Sequence, residues 1–413
     1  MSGLSVMSGS STNTMSLLPT NPFKPGQPVE PIYFGGRHLE IETFQQYLQY
    51  TISGNQQNLA VLGDPGIGKT SLLRMYENIA REQACITVRR EFDSSVNSLQ
   101  TLSSFLLQAL KTEGSSNLPR KTRTLTKVKS FFDTYNVGVG MMGVQGSIGA
   151  TGVQQVAVQD TFYKDLTSIW KGVQGHNPAI VYLLDEAVKL QNIDGAWGFL
   201  RSVFTRIAES GAKYMIVISG KLDLYKKITQ IFEPAERFFV PLELGPLKYE
   251  ETREALEKPL IAHKRTINDD AVGLIQNRSD GHPYVIQTFG FYAFESKTTP
   301  ITSQVIDKIT PRVMTRLSSQ LFKNRFSKTT DEERRVLLVL ADLESGKSAG
   351  PKVIAERTGQ SEDNVSQFLK RLMVKDCVQK LERGEYKLFN PLFGDYVRVE
   401  MPDILHPDFK NKQ

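Results

Sequence analysis

A glycine-rich segment with one lysine and one threonine carries the clearest chemistry in the sequence. Residues 63–70 read GDPGIGKT and match the pattern G-x-x-x-x-G-K-[ST]. Such a loop binds phosphates because its glycines let backbone amides approach the anion while the lysine neutralises charge. The residues predicted to contact a nucleotide are Gly63, Asp64, Pro65, Gly66, Ile67, Gly68, Lys69, Thr70 and Ser71.

Two acidic residues follow an apolar run further along the chain. Residues 179–184 read AIVYLL and precede Asp185 and Glu186. A strand delivers a carboxylate at its C-terminal end, where open α/β sheets bind their ligands. The pattern predicts that Asp185 and Thr70 hold Mg²⁺ and that Glu186 polarises the attacking water, with Lys69 on the phosphates. The alternative is a helix N-cap after a buried strand.

A second polar strand end is predicted at Ser219. Residues 214–218 form an apolar run that is followed by Ser219, Gly220 and Lys221. In a P-loop sheet this strand lies between the strands that end at the phosphate loop and at Asp185. The Ser219 hydroxyl or the Lys221 amine could therefore sense the γ-phosphate. The alternative is that both are plain loop residues.

The elements that must position these residues alternate between strands and helices. Short apolar runs at 59–62, 86–88, 180–184, 215–218 and 239–242 are separated by helical patterns. The fold class predicted is α/β: a P-loop NTPase core with a parallel sheet, a helical lid and a C-terminal winged-helix domain. The predicted boundaries are a disordered tail at 1–24, the P-loop core at 25–245, the lid at 246–328, the winged helix at 329–400 and a tail at 401–413.

The winged-helix prediction depends on the order of elements near the C-terminus. Three helical patterns at 331–343, 351–357 and 361–374 precede two strand-like runs, 377–381 and 386–389, around the turn ERGE. Residues 328–413 contain 15 Lys and Arg and 15 Asp and Glu, whereas DNA-binding domains are usually basic. Binding to DNA and binding to protein therefore both stay open for this domain.

A glycine-rich insertion is predicted at 136–154, where residues 137–153 read VGVGMMGVQGSIGATGV. It lies between the second and third core strands, far from the phosphate loop. One interpretation is a flexible loop or glycine-rich hairpin. The other is a hairpin that contacts a ligand strand or a neighbouring subunit.

Composition restricts the class of protein. The 413 residues are 40% hydrophobic and 23% charged, which excludes wholesale disorder and fibrous repeats. No apolar run approaches the ~20 residues that span a bilayer, so no membrane association is expected. Two cysteines predict a reducing cytoplasm, and five histidines make a structural zinc site improbable. The net charge of +6 is concentrated at 111–130 and 311–328, which indicates either a polyanionic partner or two solvated helix faces.

Four segments together resemble the STAND-type archaeal ATPases and, within the AAA+ proteins, the origin-recognition initiator ATPases. Phe34, Gly36 and Arg37 lie in FGGRHLE, which is similar to the F-x-G-R-x-x-E box before the first strand. The sequence GHPY at 281–284 resembles the G-x-P motif of the STAND lid. Residues 234–238, PAERF, are similar to the AAA+ segment that ends in Arg-Phe. Residues 244–251 resemble the beginning of the family's lid, and the resemblance covers about residues 22–400.

The resemblance implies a function and further site residues. It implies an adenine pocket beside residues 32–37, packing of Pro283 against the nucleotide, and an arginine finger, Arg237, offered to a neighbouring subunit. ATP and Mg²⁺ are the implied ligands, with hydrolysis of ATP and homo-oligomerisation. Pro283 stands where AAA+ proteins have a sensor arginine, and Ser219 replaces the usual asparagine. Both departures favour a slow ATPase switch that couples assembly to DNA, or alternatively to a protein partner, over a processive motor.

Overall fold

A five-stranded parallel sheet forms the centre of the computed structural model, which describes residues 20–116, 151–231, 237–343 and 347–401. Its strands are β1 (Leu59–Leu62), β2 (Ile86–Glu91), β3 (Ile180–Asp185), β4 (Tyr214–Gly220) and β5 (Val240–Glu243). The order β2-β3-β4-β1-β5 puts β4 between β1 and β3, as the sequence predicts. The predicted α/β P-loop NTPase fold class is confirmed.

Helices cover both faces of the sheet. The helices α1 (His38–Ile52) and α2 (Lys69–Glu82) pack on one face, and α3 (Leu99–Ser116), α4 (Thr151–Val173) and α5 (Ala196–Glu209) pack on the other. Successive residues of β1 alternate between the two cores: Leu59 and Val61 face α1 and α2, whereas Ala60 and Leu62 face the other layer. Helix α6 (Leu222–Ile231) follows β4. Because both faces are covered, the strand ends form the open edge at which a ligand can bind.

Four helices follow the sheet in the range predicted for the lid, and we keep that name for them. They are α7 (Tyr249–Ala262), α8 (Asp269–Ser279), α9 (Pro283–Glu295) and α10 (Ser303–Leu317). Pro283 occupies the first turn of α9, where its missing N–H leaves no hydrogen bond unmade. A π-helical turn at Ser318–Phe322 and the short α11 (Lys323–Phe326) continue α10. The π turn has no counterpart in the sequence prediction.

The C-terminal segment contains the predicted elements in the predicted order. The helices α12 (Asp331–Ala341), α13 (Pro351–Thr358) and α14 (Glu362–Val374) precede the antiparallel strands β6 (Val378–Lys380) and β7 (Tyr386–Leu388). Thr330 and Glu333 form a capping box on α12, and Ser361 caps α14 by accepting from the Asn364 amide at 3.3 Å. A further helix, α15 (Pro391–Glu400), was not predicted and packs against α12.

The lid and the C-terminal segment share one apolar core across the predicted boundary at 328. Phe322 of the π turn lies at the junction, with its ring 5.5 Å from Phe393 and 5.7 Å from Tyr396 between centroids. The cluster extends without a break from Leu247 in the lid to Met401. Motion of the C-terminal segment must therefore involve the lid or break this core.

Two predicted irregular segments are partly ordered. Phe23, assigned to the disordered tail, is fully buried against Gly290, where a Cβ would lie 2.4 Å from the phenyl ring. Asn21 donates to the Phe291 carbonyl oxygen at 3.1 Å. A single aromatic residue in a proline-rich arm shows no periodicity. Its packing against Gly290, 267 residues away, was therefore not predictable from the sequence.

The glycine-rich insertion is also shorter than predicted at its C-terminal side. Residues 151–154 begin α4 instead of forming a loop or hairpin, because the helix that follows buries Val158, Phe162 and Leu166 against the sheet. The rest of the predicted insertion, residues 136–150, lies outside the described residues. The predicted tails at 1–19 and 402–413 and most of the basic stretch at 111–130 do so as well.

Candidate nucleotide-binding site

The glycine-rich loop connects β1 to α2, the arrangement that its sequence predicts. Gly66 and Gly68 have φ values of +83° and +99°, a region that residues with side chains rarely adopt. A Cβ on Gly66 would also lie 2.8 Å from the His282 ring of the lid. The loop is therefore shaped both by its own backbone and by close contact with the lid.

Lys69 folds back over this loop. Its Nζ donates to the carbonyl oxygens of Gly63 at 2.8 Å and Asp64 at 3.0 Å. Burial lowers the pKa of the Lys69 ammonium, while the negative charge of Asp185 opposes that shift. Because Lys69 lines the same cleft as Thr70 and Glu186, its ammonium can exchange the two carbonyls for phosphate oxygens.

The two predicted magnesium ligands lie side by side. Thr70 Oγ1 donates to Asp185 Oδ2 at 2.6 Å, which joins the start of α2 to the end of β3. Asp185 is buried, with 7% of the residue exposed. A hydroxyl and a carboxylate oxygen are hard ligands of the kind that Mg²⁺ prefers. These side chains fit the ion that the sequence implies.

Ser219 supports Asp185. It is fully buried at the end of β4, and its hydroxyl donates to Asp185 Oδ1. Direct sensing of a γ-phosphate, one of the two roles predicted for it, does not match this position, because the hydroxyl is held by the carboxylate behind the cleft. The other predicted γ-phosphate sensor, Lys221, turns away to the C-terminal segment.

Glu186 faces the cleft that Lys69 and Thr70 line. Its backbone adopts a left-handed conformation, with φ of 54°, and its amide donates to Asp185 Oδ1 at 3.0 Å. The side chain is exposed and contributes to the cleft wall. The turn thus separates the two carboxylates: Asp185 lies beneath the loop and Glu186 projects into the opening.

Arg37 braces the loop from behind. One of its guanidinium nitrogens donates to Ile67 O at 3.1 Å and to Gly245 O at 2.6 Å, and the residue is 5% exposed. Its backbone amide donates to Glu251 on α7 at 2.7 Å, and the neighbouring Gly36 amide donates to Glu254 at 3.3 Å. Both residues of the box were predicted to bind the nucleotide. The described contacts join the phosphate loop to the start of the lid, and Arg37 also lines the apolar cavity beside the loop, so its contact with a nucleotide stays a prediction.

An apolar cavity adjoins the phosphate cleft. Its lining includes Phe34, Arg37 and Pro283, three of the residues expected to contact a nucleotide, with Tyr33 and Ile286. The two share Val29, Gly68, Ser71, Pro283 and Gln287. An apolar cavity next to a phosphate loop can hold a flat base and its phosphates at once.

The arm before the box forms one wall of both clefts. The Val29 amide donates to Ser71 Oγ at 3.1 Å, and Arg74 NH1 donates to Pro28 O at 3.2 Å. Ser71, predicted to bind the nucleotide, therefore also holds the arm against α2. With Phe23 seated in the lid, the arm connects lid and loop.

His282 of the lid packs against the loop. It is 4% exposed, and its burial, with the nearby charge of Arg325, lowers the pKa of the imidazole to about 4. The Pro65 backbone opposes this shift by hydrogen bonding. The imidazole is consequently neutral near pH 7, and it meets the Phe389 ring edge-on at 6.2 Å between centroids.

The C-terminal segment also reaches the loop, which no sequence pattern predicted. Gln379 Nε2 on β6 donates to Asp64 Oδ2 at 3.2 Å, and Asp376 forms a 3.0 Å ion pair with Lys221 at the end of β4. Arg325 donates to the Asp376 carbonyl oxygen and lies 3.8 Å above the Phe389 ring centroid. Gln379 and Asp64 are 315 residues apart and Asp376 and Lys221 are 155 residues apart, so no local sequence spacing indicates these contacts. We call two contacts together the C-terminal clamp: that of Asp376 with Lys221 and that of Gln379 with Asp64.

Arg237, the predicted finger, lies apart from these residues. It is exposed, precedes β5 at the edge of the sheet, and does not line either cleft. The acidic residues that could pair with it, Glu233 and Glu236, lie outside the described residues. Its role in another subunit stays a prediction.

Comparison with solved structures identifies the fold. A Walker-type ATPase of Pyrococcus abyssi has a TM-score of 0.57 at 14% identity, over 91% of this chain and 99% of that one. The Aeropyrum pernix ORC1 protein, solved in complex with DNA, has a TM-score of 0.42 at 16% identity, covering 90% and 94%. The Thermotoga maritima RuvB Holliday junction branch migration motor has 0.40 at 15%, covering 85% and 91%. The first likeness shows the P-loop fold alone, and the other two scores are too low to carry an argument.

Comparison with protein families concerns the C-terminal part. Residues 319–397 match a family described as a domain of unknown function, DUF8462. The match begins in the π turn and ends in α15, so it includes Asp376 and Gln379, the two residues of the clamp. The search of curated proteins found no match. Within the described ranges, no helix is both long and apolar enough to cross a bilayer.

Proposed function

We propose that the chain is a slow, Mg²⁺-dependent ATPase switch of the AAA+/STAND kind, in which the bound nucleotide controls the C-terminal clamp. Two adjoining clefts support this proposal, since Lys69 lines the polar one and Pro283 lines both. ATP is favoured over GTP by the resemblance. Thr70 and Asp185 would hold Mg²⁺, which when bound neutralises phosphate charge. Glu186 is placed to accept a proton from the attacking water.

One observation carries the switch: the C-terminal clamp contacts the phosphate loop itself. Gln379 holds Asp64, whose own carbonyl oxygen accepts from Lys69. When phosphates draw Lys69 away from this carbonyl, the Asp64 peptide loses a partner that fixes its orientation. A change at the phosphates is thus transmitted to β6 through two adjacent hydrogen bonds. The second contact, between Lys221 and Asp376, places the clamp at the end of β4 beside Ser219.

Hydrogen exchange tests this coupling. We expect amides of β6 and β7 to exchange several-fold faster with a non-hydrolysable ATP analogue than with ADP. Asp376→Lys should give fast exchange of β6 and β7 without any nucleotide, because the new lysine repels Lys221 and breaks the ion pair. The effect of one partly exposed pair is about 1 kcal/mol or less, so several-fold is the scale expected.

The control for this test is the reversed pair. Lys221→Asp combined with Asp376→Lys restores opposite charges and should restore slow exchange. The exposed pair Arg278–Asp307, 2.6 Å apart in the lid, provides a reversal that should leave β6 and β7 unaffected. Equal exchange of β6 and β7 with ADP and with the ATP analogue would contradict the switch.

We further propose that the C-terminal helices and hairpin act as a winged helix that binds DNA. The exposed cations Lys370 and Arg371 on α14 support this, since basic side chains on the third helix contact DNA in such domains. Lys387 of the hairpin is paired with Asp280 of the lid at 2.5 Å and would have to be released. Freeing the hairpin therefore requires that this ion pair be broken in addition to the clamp.

Binding to a protein is the second candidate, and exposed apolar side chains favour it. Val374 at the end of α14 is 80% exposed, and Val353 on α13 is 42% exposed. Acidic Glu362 and Asp363 also occupy the first turn of α14, where base contacts normally begin.

A salt titration separates the two candidates. If duplex DNA is bound with ATP present, log affinity should fall linearly with log salt, with a slope of about −0.9 for each phosphate contacted. Lys370→Ala should make that slope shallower by about 0.9, the value for one phosphate contact. Lys352→Ala removes an exposed lysine from α13 and should keep the parental slope. Absence of DNA binding even at low salt would exclude the first candidate and leave the protein partner.

A further inference from the structure

The border between the base cavity and the phosphate cleft contains a polar side chain with no described partner. Five residues line both spaces, and only Ser71 and Gln287 among them have polar side chains. The Ser71 hydroxyl accepts from the arm at Val29. The side-chain amide of Gln287 makes no hydrogen bond to any described residue, although the residue is half-buried.

The position of Gln287 is fixed by α9. It follows Pro283 by four residues, so the two side chains lie on the same face of the helix, one turn apart. Pro283 sits at the first turn, against the base cavity, and Ile286 lines the same cavity. Helix α9 is held by the lid core through Val285 and Phe289, which are fully buried. Gln287 is thus presented to the cleft by a rigid element.

The geometry of a nucleotide determines what meets this side chain. With phosphates on the loop at Lys69 and the base between Phe34 and Pro283, the sugar must cross the border that the two spaces share. A glutamine amide both donates and accepts hydrogen bonds, and a sugar hydroxyl does the same. We propose that Gln287 binds a ribose hydroxyl and thereby selects ribonucleotides over deoxyribonucleotides. This inference rests on the proposed nucleotide function.

The size of the effect follows from ordinary hydrogen bonding. A neutral hydrogen bond contributes roughly 0.5–1.5 kcal/mol, which corresponds to a preference of about three- to tenfold. A site built to bind a hydroxyl also rejects the analogue that lacks it, because its own polar group is then left unpaired. One deoxy analogue of the nucleotide should therefore bind more weakly than the ribonucleotide itself.

The experiment measures affinities of the full-length protein for ADP, 2′-deoxy-ADP and 3′-deoxy-ADP by calorimetry, so that hydrolysis plays no part. The parent protein should prefer ADP over one of the two analogues by three- to tenfold, and that analogue identifies the hydroxyl. Gln287→Leu has a similar size and no polar group. It should weaken ADP binding, leave the analogue unchanged and bring the ratio to about one. Gln304→Leu, on the exposed side of α10, is the matched control and should keep the parental ratio.

The outcomes distinguish this inference from the proposed function. If the parent binds ADP and both deoxy analogues equally, or if Gln287→Leu keeps the parental ratio, the ribose role is wrong while the nucleotide site stands. If the parent does not bind ADP at all, the proposed function is overturned and the ribose role with it.

Discussion

Replacing Lys69 with alanine should abolish nucleotide binding and ATP hydrolysis. The ammonium is the one cation that the structure places within the phosphate loop, held 2.8 Å from the Gly63 carbonyl oxygen and 3.0 Å from that of Asp64. Without it, phosphates in the cleft would meet the backbone dipoles of the loop and the proposed Mg²⁺, while Lys24 at the cleft wall is already paired with Glu30 at 2.8 Å. Loss of a single preorganised donor to developing charge lowers turnover by ~10²–10³. Calorimetry with ADP and a phosphate-release assay measure the two effects.

The Lys69 variant needs a control for general loss of charge. Lys226→Ala removes an exposed lysine from α6 and should leave binding and turnover near the parental values. Circular dichroism should report intact helices for both variants, because Lys69 packs against loop carbonyls and contributes nothing to the apolar cores. ATP hydrolysis at the parental rate by Lys69→Ala would show that the site is assigned to the wrong residues.

The site residues that could be predicted from the sequence are those that local geometry determines. A strand, a glycine-rich turn and a helix occur within residues 59–82, so the loop and the position of Thr70 follow from the motif. Asp185 could be placed opposite Thr70 because parallel strands end at one edge of the sheet. The 2.6 Å hydrogen bond between their side chains agrees with that reasoning.

The residues that could not be predicted depend on contacts between distant parts of the chain. Arg37 was identified from its box, but its use as a brace follows from the carbonyls of Ile67 and Gly245, 30 and 208 residues away. Gln379 reaches Asp64 because lid and C-terminal segment share a core, and hydrophobic periodicity does not specify which helix faces pair. The exposed side of α14 remained equally open, since its charges alone do not distinguish DNA from protein.

The arginines near the phosphate loop are already held by other contacts. Pro283 replaces the expected sensor arginine, and Arg37, which lies behind the phosphate loop, donates to two carbonyl oxygens. Arg325 approaches from the other side, but it donates to Asp376 and covers the Phe389 ring. Neither of these two arginines is directed at a γ-phosphate. A cation supplied by a second subunit would complete the site.

We therefore expect Arg237→Ala to lose ATP hydrolysis while keeping nucleotide binding, with the loss reaching ~10³–10⁵ in rate if the finger acts as in well-studied P-loop enzymes. Arg237 is exposed at the edge strand β5, where it can reach a neighbouring subunit, and it does not line its own clefts. Mixing Arg237→Ala with Lys69→Ala subunits is the decisive measurement. The first retains an intact loop and the second an intact finger, so some interfaces of a mixed assembly contain both.

If the finger acts between subunits, the mixture should release phosphate although neither variant does so alone. Light scattering on the same samples, with and without ATP, verifies that the subunits assemble. Arg201→Ala, an arginine on α5 away from both clefts, should hydrolyse ATP at the parental rate. Full activity of Arg237→Ala by itself would instead assign this arginine to a surface ion pair worth under ~1 kcal/mol.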